Sequence, residues 1–288
     1  MSHFVQQQHT VNAFSSSDSW VILSPIEQSI KQKIEAVGVP LKDWDIQINY
    51  GIKTGCNEAF IINTDKRNEI LANCKDEAER KRTEELIRPI LRGRDIKRYG
   101  YNWAGLWLIY IPWHFPYQFD ESIQGASAKA EKAFQEQYPA VYSHMLQYKD
   151  KLSKRNKAET GIRYEWYAMQ RWGAKYWEDF YKPKLFYADI TQRLNFCICK
   201  EVMFCNNTTY FIATKNEETL EYLYKYLNSP IANWYYRTKS VQLGEKAVRM
   251  FSIYMLEIPI PPMIKDIETY KLLGLTPTEV AFIEDREY

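Results

Sequence analysis

The spacing of apolar side chains predicts a chain in which helices and strands are mixed. Residues 24–38 carry an apolar residue every three or four positions, the period of a helix with one buried face. Ser24 and Glu27 have the spacing of a capping box, with Pro25 at the first helical position. Gly38 is a typical helix end. The sequence therefore predicts a capped amphipathic helix here.

The same criteria assign elements along the rest of the chain. Helices are predicted over 76–92, over 127–155 with a break at Pro139, over 218–228, and from the caps Ser229-Pro230 and Thr276-Pro277. Strands are predicted over 59–62, 105–112, 184–190 and 195–205, with a hairpin turn at Asn206-Asn207. Because no regular βαβ alternation appears, the predicted fold class is α+β, with a mixed sheet and several helices.

Composition divides the chain into three parts. Residues 1–18 are polar and rich in Ser and Gln, which predicts a flexible arm or linker. Residues 19–263 hold most of the apolar patterns and are predicted to form the main domain. Residues 264–288 are predicted to form a C-terminal helical tail.

Charge is unevenly distributed, although the net charge is only +2. Residues 88–98 hold five basic residues against one acid, and residues 149–184 hold ten against five. Residues 266–288 hold six acids against two basic residues. Two basic segments and an acidic end are typical of a polyanion-binding protein, and solvated helix faces are the alternative explanation.

Cysteine usage and hydropathy indicate the compartment. The five cysteines form no C-x-x-C pair, and the four histidines show no zinc-site spacing, so reduced thiols in the cytosol are expected. No signal peptide opens the chain, and no run of about 18 apolar residues would span a bilayer. These features predict a cytoplasmic protein without a membrane partner.

No catalytic motif is recognisable. The P-loop, the G-x-G-x-x-G fingerprint, G-x-S-x-G and the [ND]-P-P-[YFW] tetrapeptide of amino-methyltransferases are all absent. Glu79-Arg80-Lys81 matches half of a metal-dependent nuclease motif, but its highly charged context favours a solvated helix face. The chain is therefore expected not to be an enzyme.

Four stretches instead combine hydrogen-bond donors with glycines or aromatic residues. They are "GIKTGCN", "LRGRDIKRYGYNW", "LSKRNKAETGIRYEWYAMQRW" and "DITQRLN". Basic side chains bind phosphates, and with Asn and Gln they read base edges. Gly51 and Gly55 flank Lys53 and Thr54, and glycine lets a backbone approach a phosphate closely. Taken alone, this loop is favoured as a turn over a phosphate cradle.

Longer segments resemble one known family in the order in which they occur. They include "INYGIKTGCNEAFII", "ILRGRDIKRY", "YPAVYSHMLQYKDKLSKRNKAETGIRYEWYAMQR", "KPKLFYADI", "YFIAT", "YLNSPIANWYY", "IPIPP" and "YKLLGLTPTEVAFIE". From about Trp20 to Glu284 the chain resembles the TaqI-like C-terminal specificity domain, the target recognition domain of type IIG restriction-modification enzymes. It resembles the specificity subunits of type I systems more loosely.

The resemblance implies a target-recognition-domain fold and sequence-specific recognition of double-stranded DNA. An adenine methyltransferase and an endonuclease, held elsewhere in the same polypeptide, would then be directed to the site. No cofactor is expected in this chain, and S-adenosylmethionine and magnesium are expected only in the modules that it lacks. The sequence favours an excised C-terminal fragment over a stand-alone specificity protein.

The donor-rich stretches supply the expected DNA contacts. The DNA-binding residues implied are Lys53, Thr54, Asn57, Arg92, Arg94, Lys97, Arg98, Arg155, Asn156, Lys157, Arg163, Arg171, Gln192 and Arg193. For Arg94 the alternative is an ion pair with Asp95 or another nearby acid. For residues 155–157 it is a partner for a helix C-terminal dipole. The aromatic residues Trp166, Tyr167 and Trp172 are expected in the core or an interface.

Two other functions stay open. A protein-docking specificity subunit would bind DNA only together with a separate methyltransferase, and would show no salt-dependent DNA affinity by itself. A metal-dependent nuclease using Glu79 and Lys81 would cleave DNA with magnesium, but the motif lacks paired carboxylates.

Overall fold

The computed structural model describes residues 23–244, 246–264 and 268–286, so the predicted arm over 1–18 lies outside it. These residues form twelve α-helices: α1 (Pro25–Val37), α2 (Asn57–Phe60), α3 (Thr64–Ala72), α4 (Glu77–Leu86), α5 (Ala128–Gln137), α6 (Pro139–Leu146), α7 (Lys149–Ser153), α8 (Glu217–Leu227), α9 (Pro230–Lys239), α10 (Ser252–Met255), α11 (Thr269–Leu272) and α12 (Pro277–Glu284). Short 3₁₀ helices lie at Leu41–Asp43, Gly93–Asp95 and Trp177–Tyr181. Among the described helices, none is long and apolar enough to span a bilayer.

The same residues form fifteen short strands. They are β1 (Val39–Pro40), β2 (Gln47–Tyr50), β3 (Ile61–Asn63), β4 (Ile87–Leu91), β5 (Ile96–Lys97), β6 (Gly100–Tyr101), β7 (Leu106–Ile109), β8 (Lys184–Ala188), β9 (Ile190–Thr191), β10 (Phe196–Cys199), β11 (Phe204–Cys205), β12 (Thr209–Ala213), β13 (Gln242–Leu243), β14 (Ala247–Arg249) and β15 (Pro259–Ile260). Helices and mixed sheets occur together, which confirms the α+β class.

Contacts group the chain into two compact units. The central unit comprises Ile48–Ala188 and Cys197–Ala213. The terminal unit comprises the described residues within Met1–Gln47, Asp189–Phe196 and Thr214–Tyr288. The predicted boundaries after residues 18 and 263 stay predictions.

Two four-stranded sheets form the frame of the central unit, in the orders β10-β8-β12-β2 and β11-β4-β7-β3. β12 pairs antiparallel with β8, whereas β11 pairs parallel with β4. Phe180 and Phe204 stack at 4.4 Å in the core, and both are fully buried. Burial of such side chains stabilises the fold by about 1.5–3 kcal/mol each.

The predicted helix over 76–92 is wrong in its last third. α4 ends at Leu86, and residues 87–91 form β4, which pairs with β7. Pro89 explains the change, because proline lacks an amide hydrogen and disfavours helical backbone in the residue before it. The predicted strand over 59–62 is also displaced, since α2 occupies 57–60 and β3 begins at Ile61.

The predicted hairpin at Asn206-Asn207 is wrong as well. A turn is present there, in which the Thr209 amide donates to the Asn206 carbonyl at 3.0 Å. However, β11 before the turn and β12 after it belong to different sheets. The turn therefore connects two sheets, a connection that local turn chemistry does not reveal.

Helix caps in the terminal unit confirm the predicted starts of α1, α9 and α12. Ser24 and Glu27 form the capping box of α1, and Ile30 and Ile34 are its buried residues. The Ser229 hydroxyl accepts from the Ala232 amide at 3.2 Å. At α12, Thr276 and Glu279 form a second capping box.

Candidate functional site

The glycine loop, residues 50–57, contains both buried and exposed residues, and its two glycines lie close to other segments of the protein. A Cβ added to Gly51 would lie 1.8 Å from the Asn206 carbonyl oxygen, so only glycine fits. Gly55 has φ +76°, and an added Cβ would lie 2.9 Å from Cδ of Arg155. These glycines serve close internal packing. The turn interpretation of the sequence is therefore preferred over a backbone phosphate cradle.

The three predicted contact residues of this loop differ in exposure. Lys53 and Asn57 are exposed, whereas Thr54 is buried. The Thr54 hydroxyl donates to Oδ1 of Asn57 at 2.7 Å and accepts from the Cys56 amide at 3.1 Å. Thr54 thus orients Asn57 and shapes the loop.

Arg155 binds backbone carbonyl oxygens of the glycine loop and of two neighbouring segments. Its guanidinium donates to the carbonyl oxygens of Thr54 at 2.6 Å and of Leu152 at 3.0 Å. It also donates to those of Trp166 and Ala168, each at 2.7 Å. Burial lowers the pKa of this guanidinium. These contacts give Arg155 a role inside the fold and lend no support to its expected DNA contact.

A 3₁₀ turn, Gly93–Asp95, places two arginines differently. Nε and Nη2 of Arg92 donate to the Asp95 carboxylate at 3.0 and 2.8 Å, a bidentate pair. Burial alone would raise the pKa of Asp95, but hydrogen bonds from the Arg92 side chain and amide outweigh it and lower the pKa. Arg94 is exposed. Asp95, one of the acids considered as a partner for Arg94, is therefore bonded to Arg92.

An open groove of about 560 Å³ lies where these elements meet. Its lining residues are Asn57, Glu58, Ile61, Arg92, Arg94, Leu106, Asn206 and Thr208. The Thr208 hydroxyl accepts from the Gly93 amide at 2.9 Å and donates to Oδ1 of Asn206 at 2.7 Å, which ties the two turns together. Sequence reasoning did not place Asn206 or Thr208 at the site. It predicted only a turn at Asn206-Asn207.

A second group of predicted residues surrounds Glu159, which is buried. Arg171 donates to both carboxylate oxygens at 3.0 and 3.1 Å. Arg163 and Asn156 donate to the same carboxylate at 3.1 and 2.7 Å. The hydrogen bonds from Arg171 are the main reason that the pKa of Glu159 is lowered. Two arginines on one carboxylate leave a local positive charge, and both side chains are more than half exposed.

This Glu159 cluster lies beside the glycine loop. The Lys53 amide donates to the Arg171 carbonyl at 3.1 Å, and the Arg171 amide donates to the Lys53 carbonyl at 2.8 Å. The structure therefore brings Lys53 and Arg171 together, although 118 positions separate them. Lys157 is exposed on the segment between α7 and Glu159.

The remaining predicted residues are distributed over both units. Nζ of Lys97 donates to the Arg94 carbonyl at 2.9 Å, and Arg98 lies 4.7 Å from the Tyr99 ring at the tip of the β5–β6 hairpin. Gln192 and Arg193 belong to the terminal unit, where Arg237 donates to the Gln192 carbonyl at 2.7 Å.

The nuclease alternative requires Glu79 and Lys81 to face one site. Glu79 is fully buried and accepts from the amides of Lys75 at 2.7 Å and Ala140 at 2.9 Å, so its interpretation as part of a solvated face is wrong. Lys81 is exposed. Residues two positions apart on a helix lie about 200° apart around its axis, since one turn takes 3.6 residues. Glu79 and Lys81 therefore point to opposite sides of α4. Across the described chain, no cluster of His, Cys, Asp or Glu could hold a metal ion.

The sequence profile of the TaqI-like C-terminal specificity domain matches residues 88–260, more than half of the chain. The chain belongs to this family. The resemblance seen in the sequence is thereby confirmed over these residues, which include both Arg92–Asp95 and the Glu159 cluster, and its extension to Trp20 and Glu284 stays a prediction. No match was found among curated proteins.

Two solved structures are similar to this specificity domain at low sequence identity. The type IIG restriction endonuclease BpuSI has a TM-score of 0.49 and 14% identity, with 91% of this chain and 28% of that chain covered. The type IIL restriction-modification enzyme MmeI, solved in complex with DNA, has a TM-score of 0.44 and 16% identity, with 85% and 27% covered. This chain spans less than a third of either protein.

Proposed function

We propose that this specificity domain recognises a sequence in double-stranded DNA and has no catalytic activity of its own. It would direct an adenine methyltransferase and an endonuclease in the same polypeptide, and S-adenosylmethionine and magnesium would bind in those modules. The membership of the family supports the recognition role. The open groove supports the central unit as the part of the chain that contacts DNA.

The arrangement of Arg92 and Arg94 is the main observation that supports the proposal. Arg92 is fixed by Asp95 and keeps the turn rigid, whereas Arg94 extends from the same turn into an open groove. A preorganised turn with one exposed arginine suits bidentate contact with a base edge or a phosphate. Asn57 adds an amide, the type of group that reads adenine edges. Thr208 also lines the groove, but its hydroxyl already donates to Asn206 and can act there only as an acceptor.

The Glu159 cluster and Lys53 would bind the DNA backbone. Arg163 and Arg171 retain exposed guanidinium groups after binding Glu159. Lys53 is also exposed, and its backbone pairs with that of Arg171. Such contacts provide affinity without sequence information.

The decisive measurement is selection of DNA from a randomised duplex library at low salt, followed by sequencing of the retained strands. We expect an enriched motif of a few base pairs for the wild-type chain. Arg94→Ala should lose the enrichment at one or more positions, or weaken retention by roughly ten- to hundredfold, since a good bidentate contact is worth about 1–3 kcal/mol.

Arg80→Ala is the matched control, because Arg80 is an exposed arginine on α4 that does not line the groove. It should behave as wild type. Retention without any enriched motif would support backbone binding and contradict readout by this chain alone. If the wild-type chain retains no DNA at low salt, the proposal fails and the protein-docking alternative becomes the better explanation.

A further inference from the structure

One acid, Glu58, lines the groove that the proposed function assigns to DNA. It lies on α2 beside Asn57, and its side chain is 66% exposed. A carboxylate repels the phosphates of DNA, and like charges brought together at an interface weaken binding. An acid at this place therefore needs a partner other than the DNA backbone.

The two oxygens of the Glu58 carboxylate are differently engaged. Oε2 accepts from the amine of Lys151 on α7, whereas Oε1 has no hydrogen-bond partner among the described residues. Both side chains of this ion pair are mostly exposed, so the pair contributes little to stability. Lys151 offsets the negative charge and orients the carboxylate, and Oε1 stays available to a ligand in the groove.

The other side-chain oxygens of the groove lining already accept hydrogen bonds. Oδ1 of Asn206 accepts from the amide and the hydroxyl of Thr208 at 3.2 and 2.7 Å. Oδ1 of Asn57 accepts from the Thr54 hydroxyl at 2.7 Å. The Thr208 hydroxyl accepts from a backbone amide at 2.9 Å. Within the described lining, Oε1 of Glu58 is therefore the side-chain oxygen that accepts no hydrogen bond.

We propose that Oε1 of Glu58 accepts a hydrogen bond from the exocyclic amino group of a DNA base, an inference that rests on the proposed function. Phosphates and deoxyriboses within a DNA strand have no hydrogen-bond donor, so the donors that DNA offers are on its bases. In the grooves these donors are the amino groups of cytosine, adenine and guanine. Glu58 is thus a specificity-determining residue of the groove.

The same carboxylate rejects bases that present only acceptors at this position. In the major groove, thymine O4 and guanine O6 would face Oε1 with a second acceptor, whereas cytosine N4 and adenine N6 would donate to it. Arg94 in the same lining has donors only and so favours the opposite bases. The two side chains therefore impose different requirements on the DNA edge.

Base analogues that lack the amino group identify its source. The starting duplex is the one that the wild-type chain enriches from the randomised library, and fluorescence anisotropy measures its affinity. Pyrimidin-2-one replaces one cytosine at a time, purine replaces one adenine, and hypoxanthine replaces one guanine. We expect one analogue position to weaken wild-type binding by about ten- to hundredfold, the value of a hydrogen bond to a charged group.

Glu58→Ala completes a double-mutant cycle with the sensitive analogue. With the unmodified duplex this variant should lose about the same factor in affinity. With the analogue it should bind about as well as the wild type does, because both changes remove the same hydrogen bond. Glu178→Ala is the matched control, since Glu178 is also 66% exposed, is ion-paired with Lys182 and does not line the groove. It should bind both duplexes as wild type.

Thermal unfolding separates binding from folding. Glu58→Ala should unfold close to the wild-type temperature, because it changes an exposed side chain. A lower affinity of this variant then reflects a lost contact with DNA.

The possible failures of the inference and of the proposed function give different results. If the wild-type chain enriches a motif but the losses from Glu58→Ala and from every analogue multiply, Glu58 contacts no amino group and the proposed function stands. Tighter binding of Glu58→Ala to all duplexes would show that Glu58 only repels phosphates, which also overturns the inference. Retention of DNA without an enriched motif overturns it and leaves backbone binding. A wild-type chain that retains no DNA at low salt overturns both.

Discussion

At the scale of single residues, the basic side chains divide into those held by the fold and those available to a ligand. Arg155 and Arg92 are bonded within the central unit, whereas Arg94 and Lys53 are exposed. A guanidinium is useful in both settings, because its five donors satisfy carbonyl oxygens as well as phosphates.

Arg155→Met should destabilise the protein by about 2–4 kcal/mol, since it leaves several carbonyl oxygens around the glycine loop without a donor. Chemical denaturation measures the free energy of unfolding. Lys157→Met is the matched control, and its effect should stay within about 0.5 kcal/mol because Lys157 is exposed. Equal stability of the two variants would contradict the assigned role of Arg155.

The sequence alone could not distinguish the exposed arginines from those bonded within the fold. "LRGRD" offers Asp95 to both Arg92 and Arg94, and only the folded turn selects Arg92. The Glu159 cluster joins residues up to 15 positions apart around one carboxylate, and Lys53 comes beside it only through tertiary contacts.

At the scale of elements, local sequence signals were reliable where a helix is capped and less so where a strand needs a distant partner. The starts of α1, α9 and α12 follow from capping residues within four positions. The end of α4 and the turn after β11 depend on pairing with β7 and β4. Such pairing is not encoded by local periodicity.

Glu279 links α12 to α1 and makes this junction depend on pH. It accepts from the Ser29 hydroxyl at 2.6 Å and from the Lys33 amine at 2.7 Å. Burial acts to raise its pKa, but these bonds and the Thr276 cap outweigh burial and lower the pKa from 4.5 to about 2. The folded state therefore binds this proton less readily than the unfolded state.

The stabilisation from Glu279 should be fully present above pH 4.5 and lost as the pH falls toward 2. Glu279→Gln should lower the unfolding temperature relative to wild type at pH 7. This difference in unfolding temperature should become smaller at acid pH. Thermal unfolding monitored by circular dichroism from pH 7 to 3 measures this. Glu257→Gln, which removes an exposed ion pair with Lys42, should show little effect at any pH. A constant difference between Glu279→Gln and wild type would contradict the assignment.

At the scale of the whole molecule, the net charge of +2 includes several exposed basic side chains of the central unit. They are Lys53, Arg94, Lys97 and the two arginines of the Glu159 cluster. If these groups bind DNA phosphates, each contact releases counterions and adds about 0.9 to the magnitude of the slope of log K against log salt.

Arg163→Ala should reduce the magnitude of this slope by about one contact without changing the sequence preference, as expected for a phosphate contact. Arg94→Ala should change the preference instead if it reads a base. Fluorescence anisotropy with a labelled duplex, measured over a series of salt concentrations, distinguishes the two effects. An unchanged slope for Arg163→Ala would exclude Arg163 from the backbone contacts.

The sequence by itself determined the α+β class, the helix caps, the family and the basic stretches, because these depend on local spacing or on motifs that are contiguous in the chain. The tertiary structure alone decided which arginines are held by the fold and where Asn206 and Thr208 complete the groove. The physical reason is that hydrogen-bond partners and burial are properties of positions in space. In this chain those partners come from segments separated by up to about 250 residues.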